Sequence, residues 1–250
     1  MQRFGILALI ALLTGCAQPV RPANGIDTVL VVGATGETGR LIVAGLLREG
    51  YHVRAFTRDA SKAARLLGDD ADIATGDVKD AASVASAMHD VDAVVSAVGA
   101  RGATGPDRPE KVDYEGVKHL ADAAAAEHIR HFVLISSMGV THQDNPLNRM
   151  FGNVLMWKAR GEQALRDSGV PYTIVRPGGL VNEPGGRSRI VAVQGDPEIG
   201  RVYIPRADLA TVCIEALKHP ESQFRTLEVY RVKGKPVSDW KAFFERLHRD

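Results

Sequence analysis

The chain has 250 residues, 45% of them hydrophobic, enough to bury one large α/β core without a second domain. A net charge of +1 with no long basic run argues against nucleic acid as a partner. The histidines and the cysteines, Cys16 and Cys213, show no metal-ligand spacing, so no metal is expected.

The first residues stand apart from the rest. Met1–Arg3 carries one arginine, Phe4–Leu13 is apolar, and Thr14-Gly15-Cys16 closes the segment. This run is shorter than the about 20 residues of a membrane-spanning helix and has the layout of a secretory signal. Leu13-Thr14-Gly15-Cys16 also resembles a bacterial lipobox. That resemblance implies cleavage before Cys16, lipid on its thiol and a membrane-anchored lipoprotein on the periplasmic or outer face. The alternative is an apolar extension from a misassigned start codon on a cytoplasmic protein. Residues 17–27 include prolines and a glycine and read as a tether.

From Thr28 the pattern alternates strand and helix, which predicts a doubly wound parallel sheet in a single α/β domain over residues 28–250. Thr28–Val32 is a β-branched run suited to a strand buried on both faces. Gly33, Gly36 and Gly39 follow, and a helix is expected from Thr38 to Glu49. The expected elements then run His52–Thr57 (strand), Ser61–Leu67 (helix), Asp72–Thr75 (strand), Ala81–Met88 (helix) and Ala93–Val98 (strand). Arg101–Glu110 reads as a loop, Val112–His128 as an alanine-rich helix and His131–Ile135 as a strand. After a loop at Gly139–Asn148, one helix is predicted from Met150 to Asp167, then a strand at Tyr172–Val175. Val181–Arg189 is the least regular stretch and is expected to cover a substrate. A small C-terminal, substrate-side portion completes the chain, with strands Val202–Ile204 and Leu227–Tyr230 and helices Ala207–Leu217 and Ser238–Leu247. Cys213 falls in the first of these helices and reads as a core residue.

The glycine triplet between a strand and a helix is a dinucleotide-binding arrangement. The first glycine allows the sharp turn, the second lets a phosphate approach the backbone, and the third lets helix and strand pack closely. The free N–H groups at the helix start suit a pyrophosphate. An NAD-preferring site carries an acidic residue at the tip of the second strand. Here the tip reads Thr57-Arg58-Asp59, and Arg58 presents a planar fork for a 2′-phosphate, so NADP(H) is favoured and Asp59 leaves room for NAD(H). Arg54 and Lys62 add positive charge in the same part of the sequence. Asp77 is placed either to accept from an adenine amino group or to cap the next helix.

Taken together, VVGATGETGR, RAFTRDASKA, TGDVKD, VVSAVGA, VDYEGVKHLADAA, HFVLISSMG, ALRDSGVPYTIVRPGGL and IPRADLA resemble the atypical short-chain dehydrogenase/reductases of the NAD(P)-binding, NmrA-like and flavin-reductase-like type. The resemblance spans nearly all of Thr28–Tyr230. It implies a Rossmann-like fold with NADP(H) at Gly33, Thr35, Gly36, Glu37, Thr38 and Gly39. It further implies Arg58 on the 2′-phosphate, Asp77 and Val78 at the adenine, and Ala97, Val98 and Gly99 beside the ribose. Pro177, Gly178, Gly179 and Leu180 would lie near the nicotinamide.

The departure concerns chemistry. Dehydrogenases of this kind pair a serine on strand five with a tyrosine four residues before a lysine, the lysine lowering the phenol pKa for proton transfer. Ser136, Ser137 and Lys158 are present, but the tyrosine position holds Val154, and Tyr114 belongs to a packing motif on another helix. Two readings follow. In one, the chain is a reductase passing hydride from NADPH to a small acceptor such as a flavin or quinone, with Ser136 or Ser137 on the acceptor and Lys158 on the nicotinamide ribose. In the other it binds the nucleotide without turnover, as a redox sensor or assembly factor. An export signal sits awkwardly with a cytoplasmic nucleotide, and Met1–Arg3 holds no paired arginine for export of a folded protein.

Overall fold

The computed structural model describes residues 25–250. Cys16, the signal-like segment and most of the tether lie outside the described residues. Among the described residues, no helix is long and apolar enough to cross a membrane.

Thr28–Val32 (β1) occupies the middle of the sheet because it is apolar on both faces. Successive strand residues point to opposite faces. Val29 and Val31 therefore meet Ile42, Val43 and Leu46 of α1 (Glu37–Arg48), Val212 and Cys213 of α7 (Arg206–Lys218), and Phe243 and Phe244 of α8 (Trp240–Glu245). Leu30 and Val32 face the other layer, with Val84 and Met88 of α3 (Ala81–Met88), Leu120 and Ala124 of α4 (Val117–Ala126), and Leu165 of α6 (Val154–Asp167). Each fully buried leucine or isoleucine, such as Ile42 or Leu46, contributes about 1.5–3 kcal/mol.

The remaining strands are β2 (His52–Thr57), β3 (Asp72–Thr75), β4 (Ala93–Ser96), β5 (His131–Ile135), β6 (Tyr172–Pro177), β7 (Gly179–Val181), β8 (Arg189–Val193), β9 (Tyr203–Pro205) and β10 (Arg225–Val232). Two short helices, α2 (Ala60–Leu67) and α5 (Pro146–Met150), complete the set named here. The main sheet runs β3-β2-β1-β4-β5-β6-β10-β8. Its pairs are parallel except for β8, which lies antiparallel along β10 at the edge. The strand order reverses between β2 and β4, on either side of β1, so a ligand crevice opens at the carboxyl ends of β1 and β4. A separate two-stranded parallel sheet, β7 with β9, forms the C-terminal side of that crevice.

Several boundaries differ from the sequence reading. The helix expected from Met150 to Asp167 is broken: Gly152 and Asn153 both take positive φ, 61° and 59°. Pro146 opens α5 inside the expected loop, capped by Asn145, whose side chain accepts from the Leu147 N–H at 3.0 Å. The Asn148 side chain then accepts from the Leu155 N–H at 2.9 Å, so α6 is capped from outside the helix. Strand four stops at Ser96, and Ala97–Gly99 leave the sheet toward the crevice. The alanine-rich helix starts early, as a π-helical turn at Glu110–Gly116 that runs into α4. Strands β7 and β8 are not expected from the sequence, and they flank the stretch Val181–Arg189 that it marks as irregular.

Candidate active site

At the end of β1 the chain turns through Gly33, whose φ of 79° disfavours a side chain. The Gly36 N–H donates to the Gly33 carbonyl at 2.9 Å, and Gly36 is the extended N-cap of α1. A Cβ at Gly39 would lie 2.2 Å from the Gly33 oxygen, so only glycine lets α1 begin this close to the turn. The result is a bare backbone cradle at a helix start, which fits a pyrophosphate. Thr35 lines one side of it, Thr38 and Glu37 the other. The Glu37 carboxylate pairs with Arg206 at 2.9 Å and accepts from the Asn182 side chain at 3.3 Å. Arg206 begins α7, donates to Asn182 Oδ1 at 2.9 Å and comes within 3.5 Å of Thr38 Oγ1. Arg206 lies within IPRADLA, and a lone arginine at a helix start carries no local sign of the partner it will meet.

On one side of the cradle is a cavity of about 450 Å³. Gly33, Arg58, Asp59, Lys62, Asp77, Val78 and Ala97–Gly99 all line it. Arg54 does not. It points to the other end of β2, donating to Asp72 at 2.9 Å and to the Ala87 carbonyl at 3.2 Å. Asp77 does not cap α3 either; Asp80 does, accepting from the Ala82 N–H at 3.0 Å. Asp77 instead accepts from the Lys79 N–H at 3.0 Å, which leaves its carboxylate beside the cavity. Asp107 enters from outside the motifs, and Lys79 from within TGDVKD. Arg58 Nη1 and Lys79 Nζ each lie 2.6 Å from the Asp107 carboxylate. The hydrogen bond from Lys79, then that from Arg58, holds the Asp107 carboxyl down at about 2. Hydrogen bonding to Asp107 in turn raises both cations.

On the other side is a cleft of about 1680 Å³ that shares Gly36 and Ala97–Gly99 as walls. Ser136, Ser137, Lys158 and Pro177–Leu180 line it, so the residues expected near the nicotinamide do converge. The two serines differ. Ser137 Oγ donates to the Met138 carbonyl at 3.1 Å, whereas Ser136 Oγ is buried with no hydrogen-bond partner among the described residues. Lys158 Nζ donates to Asp113 at 2.7 Å, and the other Asp113 oxygen accepts from the Ala100 N–H at 3.2 Å. Asp113 sits in the π-helical turn and is itself buried. Val154 stands one turn before Lys158 on α6; Tyr114 stacks on Trp157 at 5.9 Å, and Tyr203 of β9 lines the cleft from its far side. The segment covering this cleft is not Val181–Arg189, which is pinned elsewhere: Gly186 N–H donates to Asp208 at 2.6 Å and Glu183 pairs with Arg231. Residues 196–203 take that place. Asp196 anchors them, accepting from the Gly139 N–H at 2.6 Å and from the Thr141 N–H and Oγ1 at 3.0 and 2.8 Å. Burial pushes its carboxyl up, but these hydrogen bonds outweigh burial and leave it low.

A protein-family profile described as NAD(P)H-binding matches residues 33–220. The chain belongs to the NAD(P)H-binding family. It is 33% identical over 264 residues to sanguinarine reductase of Eschscholzia californica, across 88% of this chain and 96% of that protein. A solved chain described as an NAD-dependent epimerase/dehydratase of Bacillus halodurans superposes with a TM-score of 0.77 at 28% identity, over 88% of this chain and all (100%) of its own. An anaerobilin reductase from Escherichia coli superposes with a TM-score of 0.70 at 25% identity, over 84% of this chain and 100% of its own.

In this NAD(P)H-binding protein, other charged residues serve the fold. Arg176 forks onto Glu162 at 2.9 and 2.6 Å and reaches Glu228 at 2.9 Å, all buried. His119 contacts the Val78 carbonyl at 2.9 Å and His131 the Thr173 hydroxyl at 2.8 Å. His128 takes a positive φ of 53° at the end of α4, and His142 contacts the Asp196 carbonyl at 2.8 Å. No group of three or more His, Cys, Asp and Glu among the described residues is arranged to hold a metal. Cys213 is fully buried, and desolvation pushes its thiol up, away from reactivity.

Proposed function

We propose that the protein is an NADP(H)-dependent reductase whose acceptor is a small conjugated molecule such as a flavin or quinone. The observation that carries this reading is Ser136 Oγ, a buried hydroxyl without a partner on the wall of the cleft at the end of β5. An unpaired buried hydroxyl costs about 1–3 kcal/mol unless something in the cleft bonds it. Lys158 supports the same reading, because Asp113 takes one of its N–H donors and holds the others beside Gly99, where a ribose would lie. The sanguinarine and anaerobilin reductases support reduction rather than epimerisation.

A bound nicotinamide supplies the hydride in this chemistry. Ser136 donates a hydrogen bond to the acceptor atom on which charge develops. Lys158 orients the ribose. Val154 cannot move a proton, and the proton that completes the two-electron reduction comes from solvent. Arg58 supports NADP(H) over NAD(H). Val154 also favours a second reading, a nucleotide-binding sensor without turnover.

The test is a fluorescence titration with NADPH and NADH, followed by addition of a flavin or a quinone. Tight NADPH binding followed by its oxidation is expected. Binding without oxidation favours the sensor. In Arg58→Ala, NADPH affinity should fall roughly tenfold to a hundredfold, the worth of a charge-assisted contact, and NADH affinity far less. Equal losses for both nucleotides would remove the 2′-phosphate role.

A further inference from the structure

Arg58 and Lys79 converge on one carboxylate, Asp107, carried by the loop between β4 and the π-helical turn. That loop is tied down at the same place by the Pro106 carbonyl, which accepts from Lys79 Nζ at 3.3 Å. The three side chains line the cavity beside the cradle or stand at its edge, with Asp77 3.4 Å from Lys79 and 3.8 Å from Arg58. Two cations and two carboxylates thus balance. A carboxylate held by an arginine and a lysine presents oxygens much as a phosphate does. A 2′-phosphate arriving while Asp107 remains would meet a neutral cluster and a like charge. With Asp107 withdrawn, the same cations and Asp77 leave one net positive charge to receive it. The ion pairs are partly exposed, so exchanging one anion for another is not barred by burial.

We propose that Asp107 is an internal stand-in for the 2′-phosphate and that Lys79 is the second cation of the 2′-phosphate subsite. This rests on the NADP(H) reading above. NADP(H) binding exchanges the Asp107 carboxylate for the phosphate and releases the loop of residues 101–109, whereas NAD(H), lacking that phosphate, leaves the Arg58–Asp107–Lys79 cluster closed. The device sets cofactor preference through a competitor within the chain, and it makes loop mobility report which nucleotide is bound.

The experiment measures the NADPH-to-NADH affinity ratio in the full chain and in two variants. Asp107→Asn should shift the ratio toward NADPH, roughly tenfold, because the competitor loses its charge; Lys79→Met should shift it roughly tenfold the other way. Limited trypsin digestion of the unaltered protein gives a second readout that does not depend on variants folding. Cleavage after Arg101, the loop's one trypsin site because Arg108 precedes Pro109, should accelerate with NADPH and not with NADH. If Asp107→Asn leaves the ratio unchanged or lowers it, or if both nucleotides protect the loop equally, the stand-in is refuted while NADP(H) binding survives. A protein that binds neither nucleotide overturns both.

Discussion

At the scale of single residues, Ser136 separates a functional from a structural role. Its hydroxyl is buried and unpaired, so Ser136→Ala removes an unsatisfied polar group and should leave thermal stability unchanged or slightly raised. If the hydroxyl serves an acceptor, the same variant should lose roughly tenfold in kcat with NADPH affinity intact. Calorimetry together with steady-state kinetics reads both. A drop in melting temperature with unchanged turnover would assign the serine to the fold instead. Neither effect is written in the Ser136-Ser137 dipeptide. Only the strand end decides which hydroxyl is buried without a partner and which bonds to its neighbour's carbonyl.

At the scale of elements, the π-helical turn and α6 act as one support. Gly161 faces the carbonyl of Asp113, and a Cβ there would lie 2.2 Å from that oxygen. Alanine is the better helix former by about 1 kcal/mol, so an unhindered Gly161→Ala would stabilise α6. Here overpacking should win, with a net loss of about 1–3 kcal/mol. The displacement also draws Lys158 from Asp113, so turnover should fall with stability. Urea unfolding and a turnover assay on the same preparation check both parts, and a more stable variant would contradict the contact. The alanine-rich stretch marked this helix clearly in the sequence. Its π-helical first turn packs on α6 at Asp113 and Gly161, and a contact between distant segments leaves no mark on local propensity.

At the scale of the whole molecule, buried polar groups tie the strands together and make stability depend on pH. His131 on β5 bonds Thr173 on β6 and is fully enclosed, and burial pushes its pKa down to about 3. The unfolded chain binds a proton on this residue near 6.5, so between the two values the unfolded state holds more protons. The stability that neutral His131 contributes is therefore complete above about 6.5 and is lost as pH falls toward about 3. His131→Asn should flatten the slope of unfolding free energy against pH across that window, as measured by denaturant melts at stepped pH; an unchanged slope would show that other groups carry the acid response.

The sequence by itself determined what depends on neighbours along the chain. Short apolar runs between helical stretches marked β1, β2 and β4–β6, and a glycine triplet between strand and helix marked the cradle. Those signals work because a strand buried on both faces and a turn without Cβ atoms demand particular residues locally. Only the tertiary structure decided which charges meet. Asp107 reaches Arg58 across 49 residues and Asp113 reaches Lys158 across 45, because the sheet order brings the loops after β2 and β4 to one end. It also decided that residues 196–203, rather than Val181–Arg189, close the cleft. A covering segment is chosen by what anchors it, here Asp196 on Gly139 and Thr141, and an anchor between distant loops leaves no periodic or turn signal to read.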